Sequence, residues 1–126
     1  VKCRPPNNRD PLPGEIEACK PYLERQLDMI EPKIIVTLGR HSFARFFPGE
    51  SISKARGKPR RKNGVTIYPM YHPAAALHNP QLRPIIERDF QNLPSLVNEL
   101  SDVSEEVEGE QAQQLSLFQI SSPNDR

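Results

Sequence analysis

The sequence predicts an α/β fold with a parallel sheet, on the evidence of two short apolar segments and the helical patterns around them. The segments "KIIVTLG" and "GVTIYPM" are short and rich in β-branched residues, which is typical of strands covered on both faces. Apolar residues at helical spacing precede, separate and follow these segments. Alternation of helix and strand along a chain indicates a layered α/β fold.

The first half of the chain supplies a loop, a helix, a strand and a short helix. The opening "VKCRPPNNRDPLP" is a loop, because Pro and Asn interrupt any apolar period. Residues 14–30 form a helix, with Glu15 and Glu17 in the first turn, where the helix dipole favours acids. The strand over residues 33–39 ends in glycine, and "RHSFARFF" follows as a short helix.

The second half supplies a basic loop, a strand and a longer helix. Residues 48–63 are expected to be a loop, because Gly and Pro punctuate them. Pro69 indicates that the end of the second strand lies near a sheet edge or terminus. Residues 82–100 form a helix with one apolar side, and Pro84 suits its first turn.

Charge divides the chain into two segments. Residues 1–100 carry a net charge of +6 and residues 101–126 a net charge of −5. The first segment is the expected domain, and the acidic, glutamine-rich second segment is expected to be a disordered tail. The chain begins with Val1, and "VKC" is typical of the end of a strand, so we expect a fragment that lacks an upstream portion.

Composition restricts the class of protein. No apolar run approaches the length of a membrane span and no signal peptide is apparent, so we expect a soluble cytoplasmic protein without membrane association. Two cysteines argue against a disulfide framework. A monomer is expected.

The segment "YPMYHPAAALHNP" carries the strongest functional signal. His72 falls at the carboxyl end of a strand, where parallel sheets bind ligands, and Pro73 restricts its backbone. The alanines from Ala74 to Ala76 keep the surface low, so that Leu77 projects beyond them. A rigid donor beside an apolar wedge suits an enzyme that takes a base out of a duplex. The alternative is a histidine that packs at the strand end and bonds only to backbone.

A basic segment between the two strands is a candidate phosphate-binding surface. Its sequence is "KARGKPRRK", and its charged residues are Lys54, Arg56, Lys58, Arg60, Arg61 and Lys62. The alternative is a solvated loop without a partner. Its position in a domain of charge +6 favours phosphate contacts, which give affinity without base specificity. Arg40, which opens a helix after a glycine turn, is expected to add to this surface.

Together, "VKCRPPNNRDPLPGEIEAC", "IIVTLGRHS", "SKARG" and "YPMYHPAAAL" resemble the iron–sulfur type of uracil-DNA glycosylase, often called family 4. The resemblance covers Val1 to Leu100 in order. It implies a three-layer α/β/α fold with a central parallel sheet, of which only the C-terminal part is present. It also implies hydrolysis of the N-glycosidic bond of uracil in DNA, the first step of base excision repair.

The resemblance implies roles for single residues. His72 matches the histidine that donates a hydrogen bond to a uracil oxygen, and Leu77 matches the intercalating leucine, with Ala76 as the alternative position. Cys3 and Cys19 match two of the four ligands of a 4Fe–4S cluster; on their own they would be two buried thiols. The water-activating Gly-Glu-x-Pro-Gly loop of the family has no counterpart in this sequence, so the fragment alone is expected to be inactive.

The tail carries a peptide that resembles the bacterial sliding-clamp-binding motif. The matching residues are Gln114, Leu115, Leu117 and Phe118. The alternative is a chance apolar patch in a disordered tail. With this motif we expect a bacterial, nucleoid-associated enzyme that is tethered to the clamp. Two other functions stay open: a non-catalytic DNA-binding module tethered to the clamp, and a glycosylase of different base preference.

Overall fold

The computed structural model describes Asn7 and residues 9–118, with side chains as far as Leu100. The chain divides into two compact units, residues 1–33 and 34–126, and each is described by itself.

The first unit contains one helix, α1 (Pro13–Ile30), which confirms the helix predicted there. Its start is fixed by Glu15, whose Oε2 accepts the backbone N–H of Leu12 at 2.8 Å. The same carboxylate accepts two hydrogen bonds from the guanidinium of Arg9, at 2.7 and 2.9 Å. The bonds from Arg9 and then that from Leu12 lower the pKa of Glu15 to about 2. Direct bonds therefore add to the helix dipole that the sequence indicates.

The second unit contains a three-stranded sheet in the order β1 (Ile34–Leu38), β3 (Val65–Met70), β2 (Arg60–Lys62). Strands β1 and β3 are parallel, as predicted, with Ile34 opposite Thr66 and Leu38 opposite Met70.

Strand β2 corrects two predictions, because it lies in the segment expected to be a loop and pairs antiparallel with β3. The described sheet is therefore mixed. The physical reason is the two-residue connection between β2 and β3, Asn63-Gly64. Both residues have positive φ, 50° and 80°, as a tight type I′ hairpin requires.

Short helices lie between and after the strands along the chain. They are α2 (Arg40–Ala44), α3 (Ile52–Ala55) and α4 (Ala75–His78), followed by a 3₁₀ turn (Pro80–Leu82). Helix α3, like β2, lies in the segment expected to be a loop. No helix in the described part of the chain has the length and apolar character needed to cross a membrane.

Helix α5 (Arg83–Phe118) begins as predicted but continues well past Leu100, where the sequence indicates disorder. Its extension over residues 101–118 contains no proline and is rich in Glu and Gln, which are good helix formers. Local propensity therefore supports helical backbone in spite of the acidic composition. Residues 119–126 lie outside the described residues.

The core of the second unit is centred on β3. Its buried apolar side chains are Phe43, Ala55, Ile67, Tyr68, Met70 and Ile86. Strand β3 thus has the burial expected of a central strand, whereas most of β1 is half-buried. Pro69 is tolerated because β2 pairs only with Val65–Ile67. Pro69 is the next-to-last residue of β3, near the strand terminus as predicted, but β3 is the central strand of the described sheet and not an edge.

Candidate active site and nucleic-acid interface

His72 follows β3 after a single residue, Tyr71, and lies beside the turn that ends β1. The backbone N–H of Gly39 donates to the carbonyl of Met70 at 2.8 Å, which joins the two strand ends. A Cβ at Gly39 would lie 3.4 Å from the Cβ of His72, and φ at Gly39 is +88°. Glycine is therefore favoured here both by backbone conformation and by the close approach of His72. His72 thus lies at the carboxyl edge of the parallel pair, the place that the sequence predicts.

Local hydrogen bonds favour one tautomer of the neutral His72 imidazole. Its Nδ1 accepts the backbone N–H of Ala74 at 3.0 Å, and its carbonyl accepts the N–H of Ala75 at 2.9 Å. An Nδ1 that accepts carries no proton, so the proton of the neutral ring is on Nε2. The side chain is exposed. The geometry therefore presents an accessible imidazole whose Nε2–H can donate a hydrogen bond.

The residues after His72 form a low surface from which one leucine projects. Pro73 and Ala74 are exposed, and Ala75 and Ala76 are half-buried in the first turn of α4. Leu77 is 82% exposed. Of the two positions considered for an intercalating side chain, the structure therefore favours Leu77, because the Ala76 methyl group lies partly inside the fold.

Two residues of the basic segment are engaged within the protein. The guanidinium of Arg60 bonds Glu50 at 2.5 Å and lies 3.9 Å from the centre of the Phe47 ring. Lys62 donates from Nζ to the carbonyl of Phe46 and also lies over the Phe47 ring. Both side chains therefore have partners within the protein, and a phosphate contact would have to form beside these partners.

Arg56 has a stronger internal partner. Its Nη1 bonds both carboxylate oxygens of Asp89, at 2.8 and 3.0 Å. The side chain of Asp89 is 3% exposed and that of Arg56 is 29% exposed. A buried carboxylate needs such a partner, because desolvation of an unpaired charge is costly. The structure therefore favours an internal role for Arg56 over the phosphate contact that the sequence suggests.

The other predicted phosphate-binding residues are at the surface. Lys54, Lys58, Arg61 and Arg40 are exposed. Arg61 makes a long hydrogen bond of 3.4 Å to the carbonyl of Gly64. Their exposure allows these four side chains to meet a polyanion.

Sequence reasoning missed Asp89, which lies on the apolar side of α5. Its spacing from Ile85, Ile86 and Leu93 by three or four residues places an acid among core positions, and this pattern is the signal that could have identified it. Its backbone carbonyl accepts the hydroxyl of Tyr68 at 3.0 Å. Burial, and then the negative charge of Asp89, raise the pKa of Tyr68.

Of the two cysteines that the family resemblance implies as cluster ligands, the structure describes one. Cys19 is half-buried on α1, and Cys3 lies outside the described residues. Within the described ranges, no group of three or more His, Cys, Asp or Glu side chains could hold a metal. One thiolate does not meet the requirement of four for a 4Fe–4S cluster. The described residues therefore do not fit the cluster by themselves.

The clamp-motif residues Gln114, Leu115, Leu117 and Phe118 lie at the end of α5. Their side chains lie outside the described set, so the motif rests on sequence.

Comparison with known proteins identifies the family. The uracil DNA glycosylase superfamily model matches residues 1–100. A type-4 uracil-DNA glycosylase of Sulfurisphaera tokodaii is 56% identical over 105 residues, covering 76% of this chain and 48% of that protein. The enzyme of the same name from Saccharolobus solfataricus is 52% identical over 102 residues, covering 74% and 47%. One from Thermotoga maritima is 40% identical over 102 residues, covering 77% and 53%.

The chain spans about half the length of these curated relatives. The matches confirm the resemblance seen in the sequence, and with the parallel pair of β1 and β3 they confirm the α/β fold class. The chain therefore belongs to the uracil-DNA glycosylase superfamily.

Proposed function

We propose that the protein is a uracil-DNA glycosylase that hydrolyses the N-glycosidic bond of uracil in DNA and so starts base excision repair. The names of the type-4 relatives support this activity. The observation that carries the proposal is the hydrogen bond from the Ala74 N–H to Nδ1 of His72, because it leaves the proton on Nε2 as a donor.

His72 acts on the departing base. Cleavage of the glycosidic bond leaves positive charge on the sugar and negative charge on uracil. A donor that is already oriented stabilises this developing charge more than it stabilises the bound substrate. Removal of one such donor typically lowers the rate by about a hundredfold to a thousandfold.

Leu77 acts on the DNA stack. A base that leaves the duplex opens a gap, and an apolar side chain can fill it. The 82% exposure of Leu77 and the small residues before it support this role. Pro73 and Ala74 allow the DNA backbone to approach closely.

Exposed basic residues hold the phosphates. Lys54, Lys58, Arg61 and Arg40 are the best candidates, and Arg60 can take part if it keeps its internal bonds. Contacts of this kind make binding depend strongly on salt and give no base specificity.

A 4Fe–4S cluster is proposed from the family resemblance, with Cys3 and Cys19 as two of its four ligands. Four thiolates complete such a cluster, so two further cysteines would have to come from elsewhere in the protein. No step of the hydrolysis is assigned to the cluster.

Tethering to the bacterial sliding clamp is proposed from the peptide around Leu117 and Phe118. A tether would raise the local concentration of the enzyme on newly replicated, nucleoid-associated DNA. The double variant Leu117→Ala/Phe118→Ala should lose capture by clamp-loaded DNA, whereas Gln113→Ala should keep it. Equal capture of both variants would remove the clamp from the proposal.

Uracil release from an oligonucleotide with a single uracil tests the activity. The assay compares residues 1–126 alone with a chain extended to the whole length of the relatives, called the full-length protein below, and with His72→Ala and His78→Ala of that longer chain, under single-turnover conditions. His78 is a matched control, because it is an exposed histidine only six positions away on α4.

The expected result is release by the full-length protein, a loss of about a hundredfold or more in His72→Ala, and no loss in His78→Ala. Residues 1–126 alone are expected to be inactive. Binding of DNA without base release would support a non-catalytic module instead. Release of another deaminated base in preference to uracil would support a glycosylase of different specificity.

A further inference from the structure

The Arg56–Asp89 ion pair is a buried interaction that the proposed chemistry does not use. Both carboxylate oxygens lie within 3.0 Å of Nη1, and the Asp89 side chain is almost completely inaccessible. A phosphate that took Arg56 away from Asp89 would leave this carboxylate buried without its partner. The role of Arg56 must therefore be compatible with a fixed position.

Arg56 reaches the segment that carries His72. Its guanidinium carbon lies 5.9 Å from the centre of the Tyr71 ring, at the limit of a cation–π contact. Tyr71 is half-buried and immediately precedes His72 in the chain. One peptide bond joins the backbones of Tyr71 and His72, so a contact that holds the Tyr71 side chain also restrains the backbone of His72.

Two further contacts hold the same end of β3. The N–H of Gly57 donates to the carbonyl of Pro69 at 2.8 Å. The hydroxyl of Tyr68 donates to the backbone carbonyl of Asp89 at 3.0 Å. Residues 56 and 57, the end of β3 and the second turn of α5 therefore form one connected set of contacts, which we call the Arg56 network.

We propose that Arg56 is a positioning residue for His72: its ion pair with Asp89 holds the guanidinium against Tyr71 and so fixes the strand end from which His72 projects. The inference rests on the proposed function, because it assigns Arg56 a task only if His72 contacts the base. A displacement of about 1 Å at a reacting group can lower a rate by about a hundredfold, so a support of this kind has a measurable effect.

Two variants of the full-length protein test the proposal. Arg56→Lys keeps the charge but loses the planar group that meets Tyr71 and bonds Asp89. Arg56→Met/Asp89→Asn removes both charges together, so that neither is left buried alone. Arg88→Met is the matched control, since Arg88 is an exposed arginine next to Asp89 on α5.

Three measurements separate the possible roles. The first is the single-turnover rate of uracil release at saturating enzyme. The second is the dissociation constant for uracil-free DNA at several salt concentrations. The third is the ¹H–¹⁵N spectrum of the His72 imidazole, assigned with His72→Ala, which reports its tautomer and environment without any turnover. Thermal melting confirms that each variant is folded at the assay temperature.

The proposal predicts at least a tenfold lower rate in both Arg56 variants and an altered His72 spectrum, with an unchanged dependence of binding on salt. Arg88→Met should match the wild type in all three measurements. Lys58→Ala gives the comparison for a phosphate contact, whose loss reduces the logarithmic salt slope by about 0.9.

Other outcomes overturn the inference. A reduced salt slope with an unchanged rate would make Arg56 a phosphate contact. An unchanged rate and an unchanged His72 spectrum in folded variants would leave it a purely structural residue. If the wild type releases no uracil, the proposed function fails, and the His72 spectrum alone then decides whether Arg56 positions this residue.

Discussion

Substitution of Gly57 by alanine should be among the most damaging single-methyl changes in the second unit. A Cβ at this position would lie 2.7 Å from Oδ1 and 3.4 Å from Cγ of Asp89. The Asp89 carboxylate cannot easily move away, because it is buried and bonded to Arg56. The backbone adds to the cost, since φ at Gly57 is +70°.

The two costs can be estimated separately. A left-handed conformation at a residue with a Cβ costs about 1–2 kcal/mol. Breaking a buried ion pair on one side costs about 3–5 kcal/mol, which sets the upper limit of the steric part. We therefore expect Gly57→Ala to lower the free energy of unfolding by more than the backbone cost alone and by at most about 4–7 kcal/mol, depending on how far the pair is displaced.

Gly64→Ala is the control for the backbone cost. Gly64 has φ of +80°, but no heavy atom lies within 4 Å of its Cβ position. It should therefore lose only about 1–2 kcal/mol. Urea unfolding of both variants, followed by circular dichroism, gives the two free energies. If Gly57→Ala is no less stable than Gly64→Ala, then the contact with Asp89 does not constrain residue 57.

Three other changes have defined outcomes. The pKa of Glu15 is lowered to about 2 from 4.5, so its interactions stabilise the fold above about pH 4.5 and are lost as the pH falls towards 2; Glu15→Gln should remove this part of the pH dependence of urea unfolding, and an unchanged profile would contradict it. The buried hydroxyl of Thr37 has no hydrogen-bond partner among the described residues, so Thr37→Val should be neutral or stabilise by about 1 kcal/mol in thermal melts, and a clear loss would reveal a partner. Leu77→Ala should slow uracil release from duplex more than from single-stranded DNA, because only the duplex leaves a gap to fill; equal losses would argue against a wedge.

The sequence was sufficient where one local signal dominates. Helix α1 follows from apolar periodicity, strand β3 from its short β-branched segment, and the position of His72 from the end of that segment. Pro73 and the alanines after it indicate the exposure of Leu77. Each of these features depends on residues that are close together in the chain. Local chemistry therefore decides them before tertiary packing does.

The basic segment shows where such signals conflict. Its charge, glycine and proline predict a loop, whereas Asn63-Gly64 is a strong hairpin signal. Pairing with β3 then makes a strand of three basic residues that have no apolar alternation. The assignment of Arg56 to Asp89 joins residues 33 positions apart, and no local pattern specifies a contact of that separation.

Strand β2 also has a consequence for self-association. It forms the edge of the described sheet, and its open backbone groups could pair with a strand of another molecule. Three residues give a short template, and the side chains Arg60, Arg61 and Lys62 would repel the same strand in a second copy. The cations on this edge therefore oppose aggregation whether or not they meet DNA. Substitutions of Arg60, Arg61 or Lys62 that are meant to weaken DNA binding should introduce polar residues. Valine or isoleucine at these positions would favour pairing of this edge with a strand of another molecule.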